Sequence, residues 1–272
     1  MPELPEVETT RRGLEPLVRG QRVTDAIVRN RNMRLPVPRN LPVTLRGATI
    51  RDVARRGKYL LMHCDRGTLI LHLGMSGRLW VVDGNTPPAR HDHFDLVLAN
   101  GIVVRLRDPR RFGLVLWQPQ GAPEHRLLTN IGPEPLTDGF DGAVLFRETR
   151  SRSASIKLVI MDSHVVAGVG NIYANEALFR SGIDPRTPAQ RVSRARCDRL
   201  AEAIKHTLAL AIDAGGSSLR DYVGSDGMAG NFQNHFLVYG RAGETCTRCG
   251  TIIREIRQAQ RATCYCPACQ KK

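Results

Sequence analysis

The sequence predicts a multi-domain α+β protein, β-rich in its first half, helical in its second and closed by a small metal-bound ribbon. Three observations carry that prediction. Between Arg22 and Trp117, short apolar runs rich in β-branched residues follow one another with no helical periodicity between them. Beyond Leu136 the apolar spacing becomes helical. At the end, Cys246-x2-Cys249, sixteen intervening residues and then Cys266-x2-Cys269 have the paired spacing of a four-cysteine zinc ribbon, which calls for one structural Zn2+.

The elements begin with a helix from Pro5 to about Val18, where Val7, Thr10, Leu14 and Leu17 recur at helical spacing; Gly13 and Pro16 weaken the pattern. Acids lead this helix and Arg11 and Arg12 follow, as the helix dipole prefers. Strands are expected at 22–29, 49–54, 59–63, 68–73, 79–82, 94–98, 102–107 and 114–117, with Asn100-Gly101 the clearest hairpin turn. A run of strands without intervening helices reads as a β-sandwich or flattened barrel. Residues 128–136, containing Gly132-Pro133-Glu134-Pro135, read as a linker. Helical segments are expected at 142–150, 156–161 and 172–179. A longer helix follows over 193–214, capped by Ser193 and stopped by Gly215-Gly216. The glycines of Gly168-Val169-Gly170-Asn171 would let backbone amides approach a phosphate, although a packing turn fits the same spacing. Residues 217–234, polar and without apolar pattern, read as a mobile loop.

Composition bounds the partners. With 40 basic against 26 acidic residues the net charge is +14, which points to a polyanion. Five of the basic residues are lysines and 35 are arginines. Arginine suffices for phosphate, so a retained lysine is a candidate for chemistry, because it can release a proton; Lys58 and Lys157 are the two to watch. The chain shows neither a cationic leader with an apolar run nor an apolar run of membrane-spanning length, which reads as a cytoplasmic protein with no membrane partner. Seven cysteines, four of them in the ribbon, fit metal binding in a reducing compartment. Cys264 stands near enough to compete with Cys266, but paired spacing favours Cys266; Cys64 and Cys197 read as core residues or bystanders.

Chemistry concentrates at the amino terminus, Met1-Pro2-Glu3-Leu4-Pro5-Glu6. A small second residue lets Met1 be trimmed, leaving Pro2 as a free secondary amine. An α-amino group with a pKa near 8 is roughly 10% neutral at pH 7, against well under ~0.1% for an ordinary lysine. A secondary amine that attacks a sugar carbon gives an iminium that cannot lose its charge by shedding an N–H proton, so it stays an electron sink. Glu3 is close enough in sequence to move protons at the same carbon. Acids and Pro5 in a first helical turn also explain these residues without chemistry.

Other stretches point to nucleic acid. Arg55-Arg56-Gly57-Lys58 places cations at a strand entrance. His72-Leu73-Gly74-Met75-Ser76-Gly77 projects Met75 from a glycine-flanked turn, where it serves better as a wedge between bases than as core. Asp108-Pro109-Arg110-Arg111-Phe112-Gly113 pairs guanidiniums with an aromatic. His91-Asp92-His93 lacks a partner cluster for a metal and reads instead as hydrogen-bonded histidines near phosphate.

Together these motifs resemble the formamidopyrimidine-DNA glycosylases, bacterial repair enzymes for oxidised purines, over essentially the whole chain. The match rests on Pro-Glu-Leu-Pro-Glu at Pro2, Gly-Lys-Tyr at Lys58, His-Leu-Gly-Met-Ser-Gly, His-Asp-His, Asp-Pro-Arg-Arg-Phe-Gly, Gly-Val-Gly-Asn-Ile-Tyr, the Ser-Asp-Gly loop and the ribbon with Gln260-Arg261-Ala262-Thr263. The resemblance implies an amino-terminal β-sandwich domain (1–131), a helix-two-turn-helix domain (132–234) with its mobile loop, and a zinc finger (235–272). It implies a monomer acting on double-stranded DNA with oxidised bases or abasic sites, associated with the bacterial nucleoid. Pro2 would attack C1′ and displace the base, Glu3 would act as general acid and Lys58 as proton donor for β-elimination. Arg261 matches the position assigned to δ-elimination, although a guanidinium suits a phosphate clamp better. Met75, Arg110 and Phe112 resemble the residues that fill the gap left by a flipped nucleotide. His72, His91, Lys157, Asn171 and Tyr239 fall at phosphate-contacting or site-lining positions, and Arg152 or Arg150 takes a contact usually made just before the Ile-Lys pair. Asn231 and Cys264 stand where aromatics are usual. Rival readings are an endonuclease VIII-like enzyme for oxidised pyrimidines, against which Leu4 and the Met75, Arg110, Phe112 set argue, and a zinc-ribbon DNA-binding protein without catalysis.

Overall fold

The structure is a computed structural model that describes residues 2–217 and 230–272. Most of the expected loop 217–234 therefore lies outside the described residues. The chain divides into two compact units, one of residues 1–129 with 214–231 and one of residues 130–213 with 232–272. The described residues 214–217 and 230–231 thus group with the β-rich unit and not with the helices before them.

The first unit opens with α1 (Leu4–Val18). Glu3 is its N-cap in a reciprocal capping box: the Glu3 side chain accepts from the Glu6 amide, and the Glu6 side chain accepts from the Glu3 amide. Pro16 does not end the helix, because Val7, Leu14 and Val18 are buried and the proline itself sits on the exposed face near the last turn. The strands are β1 (Val23–Val28), β2 (Ile50–Arg56), β3 (Tyr59–Cys64), β4 (Gly67–His72), β5 (Arg78–Asp83), β6 (Asp92–Leu98), β7 (Ile102–Arg107) and β8 (Leu114–Pro119), with the short α2 (Leu41–Leu45) after β1. They form two antiparallel four-stranded sheets, ordered β1-β6-β7-β5 and β2-β3-β4-β8. Alternate residues from both sheets, Val53, Leu60, Met62, Leu69 and Leu71 among them and Phe94, Leu96, Val104 and Leu106 facing them, make one continuous core with Val7 and Leu14 of α1. Asn100-Gly101 turns β6 into β7 as expected, with Gly101 at φ 82° and its amide donating to Leu98 O.

The second unit follows the one-turn α3 (Arg126–Thr129) that ends the first. It contains α4 (Gly142–Thr149), α5 (Ile156–Ile160), α6 (Asn171–Ser181) and α7 (Arg194–Asp213), then the hairpin β9 (Arg254–Gln258) and β10 (Arg261–Tyr265). Asp141 caps α4 by accepting from the Val144 amide. Residues 165–170 are all buried, so the glycine turn ahead of α6 packs inside the unit.

Candidate functional site

In the first unit the capping box fixes the amino terminus. Pro2 and Glu3 are both buried, held where α1 begins. Glu6 does more than favour the helix dipole: its second carboxylate oxygen accepts from the Ser217 amide at 2.8 Å and the Ser217 hydroxyl at 2.9 Å, tying the first helical turn to residues 214–217. Glu8, two residues on, pairs with Arg11, Arg12 and Arg55. Those guanidiniums hold the Glu8 carboxyl below its usual range even though burial pushes the other way. Arg11 also donates to Val53 O, and Arg55 donates to Gly57 O. The same network therefore fastens α1 to β2 and shapes the β2–β3 turn that carries the half-buried Lys58. In the sequence Glu6 and Glu8 have only the ordinary explanation of acids near a helix start, and Arg55 only that of a cation at a strand entrance; none of the three is tied there to the others.

His72 ends β4 beside this turn. Its Nδ1 accepts from the Gly74 amide at 2.9 Å, and its ring lies 4.8 Å from that of Tyr59. Burial, with the charges of Lys58 and Arg34 adding to it, pushes its pKa down to about 4, so the imidazole is neutral at pH 7. Met75 and Phe112 stand out as apolar side chains left 41% and 44% exposed at loop tips. Arg110 places its guanidinium 4.8 Å over the Phe112 ring, an arrangement that stiffens both. His91 is partly exposed at φ 77°, and Arg111 has φ 58°. His93 is a buried structural residue with Nε2 3.0 Å from Asp108 O. Asp92 grips Arg107 through two oxygens, and Asp95 grips Arg105. Asp92 and His93 are thus absorbed into an ion pair and a hydrogen bond, whereas His91 stays partly exposed.

The second unit is organised around α6. The Glu176 carboxylate, fully buried, accepts from the amides of Leu237, Val238 and Tyr239 at 2.9–3.1 Å, and burial raises its pKa against those three bonds. Asn175 Oδ1 accepts from the Cys264 amide at 2.8 Å. Lys157 of α5, which was expected to contact phosphate or line the site, is fully buried instead. Its ammonium donates to Ala262 O at 2.9 Å and Thr263 Oγ1 at 2.7 Å, so it supports the hairpin from within. Arg150 is likewise occupied, donating to the carbonyls of Ala189, Gln190 and Val192. Arg152, the other arginine considered before Ile156-Lys157, is half-buried where Arg150 is exposed; it donates to Glu148 O and pairs with Asp162 at 3.1 Å. Asn171 starts α6 half-buried, and Tyr239 packs edge-on against Phe236.

Arg261 is exposed at the start of β10, directly after a two-residue turn in which Ala259 and Gln260 have φ of 44° and 62°. Two consecutive non-glycine residues at positive φ form a tight turn of the hairpin type whose residue preference they defy. All four non-glycine residues at positive φ among the described ones, His91, Arg111, Ala259 and Gln260, lie in candidate contact loops, a pattern typical of strain kept for function.

The sulfurs of Cys246, Cys249, Cys266 and Cys269 lie within 4.8 Å of one another, with Cys246 and Cys269 at 3.9 Å and Cys249 and Cys266 at 3.5 Å. A tetrahedral zinc with ~2.3 Å bonds needs sulfurs about 3.8 Å apart, so the four fit the ion. Cys264 points elsewhere, its thiol donating to Glu255 Oε2, and does not compete.

Comparisons with known proteins agree along the chain. Family models described as the formamidopyrimidine-DNA glycosylase N-terminal domain, the formamidopyrimidine-DNA glycosylase H2TH domain and a zinc finger found in FPG and IleRS match residues 1–115, 131–223 and 243–272. Formamidopyrimidine-DNA glycosylase of Pseudomonas aeruginosa (strain LESB58) is 58% identical over 272 residues, all of both chains. That of Methylobacillus flagellatus is 56% identical over 271 residues, covering 100% of this chain and 97% of its own. Among solved structures, MutM (Fpg) from Thermus thermophilus superposes with a TM-score of 0.88 at 39% identity, covering 99% and 98% of the two chains. A Lactococcus lactis Fpg mutant in complex with a Fapy-dG containing DNA superposes at 0.91 with 35% identity over 100% of both.

Proposed function

The chain belongs to the formamidopyrimidine-DNA glycosylase family, and on that premise we propose which of its residues carry out the reaction. It is a base-excision repair enzyme, a DNA glycosylase and AP lyase that removes oxidised purines from double-stranded DNA and then cuts the strand by β,δ-elimination. The observation that carries the residue assignment is the buried Pro2-Glu3 pair at the start of α1, held by the capping box and by Glu6.

Once Met1 is trimmed, the Pro2 nitrogen attacks C1′ of the damaged nucleotide, and the glycosidic bond breaks as Glu3 supplies a proton. Opening of the sugar ring leaves an iminium between Pro2 and C1′. The Glu3 carboxylate, having given up its proton, takes the C2′ proton; the C–H electron pair flows into the iminium, and the resulting enamine expels the 3′ phosphate, with Lys58 as proton donor in the β-elimination. His72, neutral and fixed by Gly74, lines the same unit as a phosphate contact, with His91 beside the loop of Arg110. Met75, Arg110 and Phe112 fill the gap in the stack. Arg152, Asn171, Tyr239 and Arg261 hold the backbone, Arg261 as a clamp at the hairpin tip. Zinc pins that hairpin and takes no chemical step. We assign residues 1–131, 132–234 and 235–272 as the three functional domains and place the monomeric enzyme at the bacterial nucleoid, a location its net charge of +14 supports. No described helix is long and apolar enough to cross a membrane.

Borohydride trapping on a lesion-bearing duplex tests the core of the assignment. The trapped peptide should be the amino-terminal one, and Pro2→Gly should lose most of the trapping while zinc content stays at one ion per chain. An adduct mapped to Lys58 overturns it.

A further inference from the structure

Asp108 has no part in the chemistry above, yet it is fully buried at the meeting point of three contact loops. Its carboxylate takes one bond from each side: the Ser76 hydroxyl donates to Oδ1 at 3.0 Å and the Gly113 amide to Oδ2 at 2.7 Å. Its backbone carbonyl accepts from the Arg111 amide at 3.1 Å and lies 3.0 Å from His93 Nε2, and its own amide donates to His91 O at 3.0 Å. The loops are also in backbone contact. A Cβ placed on Gly74 would stand 2.5 Å from the Phe112 carbonyl carbon and from the Gly113 nitrogen, so only glycine permits the approach. Met75 thus lies next to Ser76, and Phe112 next to Gly113, the two residues that one carboxylate joins.

We propose that Asp108 is a positioning residue that locks the Met75 loop and the Arg110-Phe112 loop into a single preformed wedge. A wedge separates stacked bases only if it does not yield first. Two loops that moved independently would lose that stiffness to side-chain and backbone entropy. The carboxylate, accepting two hydrogen bonds out of water, supplies the rigidity, and the backbone contacts of Asp108 with His91 and His93 extend it to the third loop.

This inference rests on the reading of Met75 and Phe112 as gap-filling residues, and the experiment separates the two. Single-turnover excision of 8-oxoguanine from duplex DNA is compared with cleavage of a preformed abasic site in single-stranded DNA, which has no opposing strand to wedge apart. Asp108→Ala should slow duplex excision at least tenfold and single-strand cleavage less than threefold. Ser76→Ala, which removes one of the two bonds, should show the same selectivity at a smaller amplitude. Asp108→Asn should recover most of the duplex rate, because its amide can accept from Gly113 and donate to Ser76 Oγ. Should Met75→Ala and Phe112→Ala leave duplex excision intact, the wedge reading fails. Should they slow it while Asp108→Ala and Ser76→Ala do not, or while Asp108→Ala slows both substrates equally, the positioning role is refuted.

Discussion

His72 shows how one side chain's surroundings set its charge. An ordinary histidine titrates at 6.5, whereas this one is pushed down to about 4 by burial and then by Lys58 and Arg34. Between those values the unfolded chain takes up a proton that the folded one refuses, so stability falls as pH drops from 6.5 toward 4. His72→Asn keeps an acceptor for the Gly74 amide and removes the titration. The thermal midpoint of the parent should decline more steeply than that of the variant across this window, and equal slopes would count against the half-buried neutral ring. Glu6 offers a second case, because its acceptors serve the Glu3 amide and Ser217 together. Glu6→Gln turns one acceptor into a donor facing donors and should cost about 1–3 kcal/mol in urea unfolding. Pro2, Glu3 and Lys58 were legible as residue types. The partners of Glu6, Asp108 and Lys157 were not, since each makes its decisive bonds to residues between 5 and 211 positions away.

At the scale of elements, apolar periodicity placed all eight strands of the sandwich and α1 within a few residues, because alternation and helical spacing are local properties. The β9–β10 turn escaped such reading. Ala259-Gln260 carries no glycine or asparagine, and its positive φ values are imposed by the hairpin register and by the Lys157 and Asn175 bonds to β10. Ala259→Gly should relieve part of that strain and raise stability by up to about 1 kcal/mol, seen as a higher denaturation midpoint. Lys157→Met leaves Ala262 O and Thr263 Oγ1 without their buried donor. Amide exchange across 254–265 should quicken while zinc content is unchanged, and exchange that stays slow would show the hairpin to be held by the metal alone.

At the scale of the whole molecule, charge and metal act together. A net charge of +14 implies that affinity for duplex DNA falls steeply with salt through counterion release, whether or not a lesion is present. Chelation of the single zinc should abolish incision while the far-ultraviolet signal of the sandwich persists, because its core uses no metal ligand. Membership of the oxidised-purine branch predicts faster excision of 8-oxoguanine than of thymine glycol from matched duplexes, and the reverse order would reassign the substrate. By itself the sequence determined the order of elements, the four zinc ligands, the polyanionic partner and the terminus proposed as reactive, all of which depend on residue type and short spacing. The tertiary structure alone decided that Lys157 is interior, that Arg150 is bonded to the carbonyls of residues 189–192, that Glu176 carries the approach to the finger and that Asp108 joins the loops of Met75 and Phe112. Those roles are set by burial and by hydrogen bonds between distant segments, which no local pattern encodes.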